Sequence, residues 1–411
     1  MDSARQAMRH GHAAGRGHLL VGQSGGATAV INASLAGVIQ EALACAAVDG
    51  IYGARHGIEG VLNSDLVDLR RESRATLDGL LHTPSAALGS CRYKLLPDDP
   101  ERVARLLRER GVRYFVYIGG NDSADTAHRI AQVASLAGDD LRVICVPKTI
   151  DNDLPETDHC PGYGSAARFI ALATMDSALC TAAMPSHYPV KIIEVMGRDA
   201  GWLAAAAALG KQRAEDAPHL ILFPERPFAR ARFLRAVEAA YRAFGFVVAV
   251  VAETLRDEAG QALGEVGQQG TDAFGHQLLG GAAQALVGLV REELGLRARF
   301  DKPGDLQRMS SACVSTVDRD EAYRCGRAAV RAAVDGATDQ MVTLVRQPGP
   351  AYACVTGLAP LAGVANTQRL LPAAYVDGTA TGVTEAFRAY ALPLIGEPLP
   401  QHVRLRGARI E

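Results

Sequence analysis

The chain has few aromatic residues, no excess charge of either sign and no long apolar run. Aromatics make up 5% of its 411 residues, with a single tryptophan. Lysine plus arginine number 43 against 45 acids, a net charge of -2. Such a balance gives no bulk attraction for nucleic acid, so an anionic ligand has to be held by locally placed cations. No stretch reaches the roughly 18 uninterrupted apolar residues of a membrane span, and the alanine-rich run near Leu203 to Leu209 is too short. The eight cysteines include no CxxC pair, and several lie in apolar runs. That pattern fits reduced, mostly buried thiols in a cytoplasmic protein, without a zinc site or a disulfide framework. Residues 1–17 are rich in Arg, His, Gly and Ala and lack an apolar core. They read as a disordered leader rather than a signal peptide.

What the chain does have is polar chemistry at the ends of apolar strands. The run Leu141 to Val146 reads as a buried strand and is followed by Pro147-Lys148-Thr149-Ile150-Asp151-Asn152-Asp153. In open α/β sheets, ligands bind beyond the carboxyl ends of strands, so a lysine and two aspartates crowded there mark a candidate site. Two earlier loops share the layout. The strand His18 to Gly22 runs through Gln23-Ser24-Gly25-Gly26 into a helix ending near Leu43. The strand Val112 to Ile118 ends in Gly119-Gly120-Asn121-Asp122-Ser123, followed by a helix through Ala134. Paired glycines before a helix let backbone N–H groups approach phosphate oxygens, although neither loop is a GxGxxG or Walker A sequence. The side chains of Asn121 and Asp122 add oxygens suited to Mg2+. If the segment around Cys91 is extended, Arg92 and Lys94 share a face and can reach one anion.

Later strands end in the same way. Pro189 to Val195 leads into Met196-Gly197-Arg198, Gly245 to Ala252 into Glu253-Thr254, and a strand-like Arg297 to Phe300 into Gly304-Asp305-Leu306-Gln307-Arg308. Helices are expected over Asp99–Arg110, Ala166–Met184, Phe228–Phe244, Gln277–Leu294 and Asp318–Val334, with a loop over Asp257–Thr271 and short, proline-rich elements from Ala337 onward. Alternating strands and helices imply parallel sheets with right-handed crossovers. At this length the expectation is an α/β fold of two Rossmann-like parallel-sheet domains facing each other across an active-site cleft. The expected boundaries are 18–150 plus 300–345 for the donor-binding domain. Residues 151–299 plus 346–411 form the acceptor-binding domain with a C-terminal extension.

Together, in order and spacing, these motifs resemble the phosphofructokinases, specifically their pyrophosphate-dependent branch, from about Leu19 to about Arg331. The resemblance implies a reversible phosphoryl transfer from pyrophosphate to the C1 hydroxyl of fructose 6-phosphate. Gly25, Gly26, Gly120 and Ser123 fall in the donor loops, with Arg92 and Lys94 on the donor phosphates. Asp151 matches the base that takes the hydroxyl proton, and Thr149, Ile150 and Asp153 match its neighbours. Met196, Gly197 and Arg198 match the sugar-binding turn, and Glu253 the carboxylate on the sugar hydroxyls. Arg299 and Arg308 match the pair that grips the 6-phosphate. The first of these comes from a neighbouring subunit in the family, which implies a homodimer or a homotetramer.

Donor choice follows from two positions. ATP-dependent relatives have glycine where this chain has Asp122 and Lys148. A bulky anion and a long cation there occupy the space of a nucleotide's α-phosphate, which points to pyrophosphate. The chain departs from the family at Asn121, usually an Asp ligand of Mg2+, at Asp305, usually His or Tyr, and at Pro189, often a second-subunit cation for which Lys191 is the nearby substitute. Sedoheptulose 7-phosphate as acceptor, ATP as donor, and a non-catalytic sugar-phosphate sensor stand as alternatives.

Overall fold

The structure is a computed structural model that describes residues 15–264, 281–379, 381–403 and 405. Its strands are β1 (Gly17–Gln23), β2 (Val48–Ala54), β3 (Leu66–Asp68), β4 (Val112–Gly119), β5 (Arg142–Pro147), β6 (Val190–Val195), β7 (Leu220–Leu222), β8 (Val247–Ala252), β9 (Ala298–Asp301), β10 (Gln340–Arg346) and β11 (Cys354–Pro360). They form a seven-stranded sheet in the order β11-β10-β5-β4-β1-β2-β3 and a four-stranded sheet in the order β7-β8-β6-β9. Pairing is parallel except at the edges, where β2 meets β3 and β10 meets β11 antiparallel. Central strands such as Val247–Ala252 are continuous apolar runs, buried along their whole length, as a sheet covered on both faces requires.

Strand order reverses at β1, which lies between β2 and β4. The loops that leave β1 and β4 therefore diverge and open a crevice between them. Loops after β5, β6 and β8 turn toward the same crevice, so residues from both sheets line one cleft.

The expected two-domain α/β architecture is present, with corrections at its edges. Strand β9 keeps residues 300 and 301 in the second sheet, whereas the expected boundary put them in the first. Strand β11 belongs to the first sheet, although 346–411 was expected wholly in the second domain. An antiparallel hairpin adds an edge strand without a crossover helix, so the boundary had no helical punctuation to mark it. Of the expected leader, Gly17 already opens β1 and Arg16 pairs with Asp49; residues 1–14 lie outside the described residues. The same holds for 265–280, which contain the second half of the expected loop and the start of the expected helix; the described helix is Ala282–Leu294.

By length and composition alone, the helix Tyr163–Ala183 is apolar enough to cross a membrane. Instead its Ile170, Ala171 and Ala178 pack with Ile193, Val195 and Leu203 in the core beside the second sheet.

Helices Ile31–Ala44 and Thr316–Val334 cover the first sheet and touch through glycine. A Cβ added at Gly37 would stand 2.1 Å from the Tyr323 carbonyl oxygen, and one at Gly326 would stand 2.0 Å from that of Ser34. In an open helix, Gly→Ala stabilises by about 0.5–1 kcal/mol. Here the two backbones must separate, so Gly326→Ala is expected to cost about 1–3 kcal/mol, read as a lower denaturant midpoint.

Candidate active site

The loop after β5 is tied down from both sides. The Lys148 N–H donates to the Gly119 carbonyl at 3.0 Å, and that of Thr149 to the Pro161 carbonyl at 3.2 Å. The Asp151 N–H donates to the Thr149 hydroxyl at 3.0 Å. Asn152 has the left-handed φ of 55°, which asparagine tolerates better than most residues. Its side chain turns away from the cleft, donating to the Tyr390 hydroxyl at 2.9 Å and accepting from the Cys160 N–H at 2.9 Å. Asp151 and Asp153, on either side of it, line the cleft.

On the donor side, Gly25 has φ +76° and donates its N–H to the Cys91 carbonyl at 3.0 Å. A Cβ at Gly25 would lie 2.9 Å from Lys148 Nζ, and one at Gly26 would lie 2.6 Å from a terminal nitrogen of Arg308. The bare glycine loop is therefore what lets these cations approach. Arg92 lines the same wall. Opposite, Gly120 caps the helix Asn121–Leu136, whose first turn carries Asp122. Asn121 donates to Asp153 Oδ2 at 3.3 Å, while its own Oδ1 is buried without a hydrogen-bond partner. An unpartnered carboxamide oxygen in a cleft that also holds Asp151 and Asp153 fits a divalent cation as ligand. Among the described residues no group of three or more His, Cys, Asp or Glu could hold a metal by itself. A cation there would thus depend on oxygens brought by a bound ligand.

On the acceptor side, the Met196 N–H donates to the Gln307 side chain at 3.0 Å, and the Arg198 N–H to Glu253 Oε1 at 3.3 Å. The Thr254 hydroxyl donates to the Arg198 carbonyl. Arg198 has φ 49° and follows Gly197 at φ +129°, so a sharp turn clamped by Glu253 and Thr254 presents Met196 and Arg198 to the cleft.

Crowding sets the protonation states. Burial lowers Lys148 to about 8; Arg308 and Arg92 add to the shift, and Asp151 and Asp153 oppose it. Burial raises the Asp151 carboxyl to about 7, reinforced by Asp153 and Glu253 and opposed by Arg198 and Lys148. Burial also raises Asp153 and Glu253. A carboxylate near 7 beside an ammonium is suited to taking a proton at neutral pH.

Most of the expected residues meet in this cleft: Gly25, Gly26, Arg92, Gly120, Asn121, Asp122, Ser123, Lys148, Thr149, Ile150, Asp151, Asp153, Met196, Arg198, Glu253 and Arg308. Gly197 is buried in the turn behind Met196 and Arg198. Two placements differ. Lys94 is exposed and does not line the cleft, because the next residue, Leu95, takes the inward position. Asp305 is 60% exposed and pairs with Arg308 at 3.0 Å instead of facing the cleft. Arg299 lies outside its own chain's cleft, its guanidinium 3.2 Å from the Tyr188 ring centroid, in a separate groove with Lys191 and Arg291. Lys191 pairs with Asp301. Sequence reasoning passed over Gln368, Arg369 and Tyr390, which back the loop after β5. Gln368 and Arg369 lie in irregular chain, and Tyr390 in the seven-residue helix Glu385–Ala391, too short for its period to mark a role.

Cations packed against bare glycines, with a raised carboxyl between them at converging strand ends, suit an α/β phosphotransferase. The chain matches the family model described as Phosphofructokinase over residues 18–333 and belongs to that family. It is 43% identical over 389 residues to the pyrophosphate–fructose 6-phosphate 1-phosphotransferase of Halomonas elongata, covering 92% of each chain. It is 42% identical over 409 residues to the protein of the same name from Xanthomonas campestris, covering 96% of this chain and 97% of that one. The crystal structure of pyrophosphate-dependent phosphofructokinase from Nitrosospira multiformis superposes with a TM-score of 0.85 at 39% identity, covering 94% of each chain.

The two shifted groups predict a narrow bell in kcat/KM against pH. Activity rises as Asp151 loses its proton near 7 and falls as Lys148 loses its charge near 8. Lys148→Arg keeps the charge, so in a pH series of initial rates its alkaline limb is expected to move up or vanish, at a lower maximum rate.

Proposed function

We propose that the protein transfers a phosphoryl group from pyrophosphate to the C1 hydroxyl of fructose 6-phosphate, giving fructose 1,6-bisphosphate and phosphate, and that it works in both directions. The observation that carries this reading is the Lys148 ammonium packed against Gly25, with Asp122 and Asp151 lining the same cleft. The relatives' names point the same way.

In this reading the sugar sits on Met196, Arg198 and Glu253 with its C1 hydroxyl toward Asp151. Asp151 takes the hydroxyl proton as the C1 oxygen attacks the near phosphorus, and the bridging P–O bond breaks to release phosphate. Lys148 and Arg92 neutralise charge on the transferred and leaving groups, the main requirement of phosphoryl transfer. Asp153 supports Asp151. A divalent cation, Mg2+ in this reading, would be held by Asn121 Oδ1 together with the pyrophosphate and would supply further charge neutralisation. Gly25, Gly26, Gly120 and Ser123 shape the pyrophosphate seat. Asp122 and Lys148 fill the volume that a nucleotide's α-phosphate would need.

Arg308 is the acceptor-phosphate cation of this chain, and Arg299 serves a neighbour's cleft, which makes the active form a homodimer or a multiple of it. Its stacked position outside its own cleft supports that assignment. All eight cysteines are free thiols, in keeping with a reducing cytoplasm. Because Asp305 already holds Arg308, the grip on the distal phosphate is the part most open to a longer sugar, and sedoheptulose 7-phosphate is retained as a second acceptor.

Purified protein assayed with fructose 6-phosphate, Mg2+ and either donor decides the donor. Turnover with pyrophosphate is expected to exceed that with ATP by at least about 100-fold, the discrimination that a clash at a buried phosphate subsite can supply. Comparable rates with ATP would overturn the role given to Lys148 and Asp122. Substituting sedoheptulose 7-phosphate in the same assay ranks the acceptors by kcat/KM.

A further inference from the structure

The segment Asn366–Leu371 runs behind the cleft and touches both domains. The Asn366 side chain donates to Asp125 Oδ1 at 2.8 Å, on the helix that begins at Asn121. The Leu371 N–H donates to Glu225 Oε1 at 2.8 Å, and the same carboxylate oxygen accepts from the Gly201 N–H at 2.7 Å, just after the sugar-side turn. Between these anchors lies Arg369. Its Nε and Nη2 donate to the Asn152 carbonyl at 3.2 and 2.8 Å, and its Nη1 donates to the carbonyls of Thr157 and Asp158, each at 2.7 Å. The guanidinium lies 4.7 Å from the ring centroid of Trp202, the only tryptophan, whose indole N–H donates back to the Arg369 carbonyl at 3.1 Å. The Arg369 N–H donates to the Asp153 carbonyl at 2.7 Å, and Gln368 Nε2 to Asp153 Oδ2 at 3.3 Å.

We propose that Arg369 and Gln368 are positioning residues for phosphoryl transfer: the Arg369 guanidinium holds Asn152 in its left-handed turn so that Asp151 and Asp153 face the cleft, and Gln368 orients the Asp153 carboxylate. The chemistry of the guanidinium suits the task. Several N–H donors fixed in one plane can serve carbonyls that point at a common centre, which a single ammonium cannot do. Asn152 is the hinge because its left-handed backbone is costly for a side-chain-bearing residue and persists only where surrounding contacts hold it. Without Arg369 the turn is restrained through the Asn152 side chain, on Tyr390 and Cys160, and any rotation of its carbonyl toward the extended region carries the flanking aspartates with it. An error of about 1 Å at a reacting group can cost on the order of 100-fold in rate. The Trp202 ring and the Glu225 anchor keep Arg369 from following the loop, so the strap transmits the rigidity of the second domain's core to the catalytic turn.

The inference rests on Asp151 acting as the base, and the test separates the two. The wild-type protein is assayed first with pyrophosphate and fructose 6-phosphate; a fully inactive wild type defeats the functional reading itself. In an active wild type, Arg369→Lys and Arg369→Ala are expected to lose about 100-fold in kcat with KM for both substrates within about threefold, the signature of lost alignment rather than lost binding. Guanidinium ion at millimolar concentration is expected to restore part of the kcat of Arg369→Ala and none of that of Arg369→Lys, whose side chain fills the site. Gln368→Leu, which leaves the Arg369 contacts in place, is expected to lose about tenfold in kcat alone. Folding of each variant is followed by circular dichroism. If folded variants keep wild-type kcat, or if the whole loss appears in KM, the proposal is overturned. If the Arg369 variants fail to fold, Gln368→Leu decides, and an unchanged kcat there removes the strap from catalysis.

Discussion

Four ionisable side chains, Lys148, Asp151, Asp153 and Glu253, share a cleft too dry to solvate them separately. Much of the surrounding structure answers to that constraint. An ammonium far from water is tolerable only beside carboxylates, and carboxylates this close repel one another unless a proton or a cation intervenes. The glycines at 25 and 26 exist as glycines because side chains there would collide with Lys148 and Arg308. Asn121 contributes a neutral amide where another carboxylate would have sharpened the repulsion, and its unpartnered Oδ1 leaves room for a metal. A substrate that brings phosphoryl oxygens and a divalent cation completes the charge pattern, so binding and catalysis draw on the same imbalance.

Topology supplies the convergence. Reversal of strand order at β1 opens the crevice, and five strand ends deliver their loops into it. Each loop is short and tied to its neighbour by backbone hydrogen bonds: Lys148 to Gly119, Gly25 to Cys91, Glu253 to Val195. Met196, Arg198 and Glu253 come from the smaller sheet, and the glycine loops and the Lys148 loop from the larger. A second pair of buried ties, Asp318 to Gly162 and Ser165, and His159 between Asp158 and Glu321, fastens the far end of the catalytic loop to the helix Thr316–Val334. The loop is therefore held at both ends, and the aspartates it carries have little freedom.

The strands and the cleft-facing loops were legible because their signals are local. An apolar run followed by a polar or glycine-bearing loop needs no knowledge of distant contacts, and β1, β4, β5, β6 and β8 all lie where such runs occur. What the sequence concealed depends on pairs far apart in the chain. Gln368 meets Asp153 from irregular chain, and Tyr390 meets Asn152 from a helix of seven residues, too short to show a period. Lys94 shared a face with Arg92 only on the assumption of an extended backbone, and the inward position went to Leu95. Asp305 turned out to hold Arg308, which spacing could not reveal because a one-turn helix, Leu306–Met309, brings the two together. The domain boundary missed the hairpin β10–β11 for a related reason: an antiparallel edge strand leaves no crossover helix to read.

The base role proposed for Asp151 is probed by Asp151→Asn, because amide for carboxylate keeps size and polarity while removing the basic oxygen. Turnover with pyrophosphate and fructose 6-phosphate is to be measured alongside equilibrium binding of the sugar phosphate by calorimetry. Loss of a general base predicts a kcat lower by about 10²- to 10⁴-fold with a sugar Kd within about threefold of wild type. A variant that turns over at the wild-type rate, or one that loses sugar binding in proportion to rate, would contradict it.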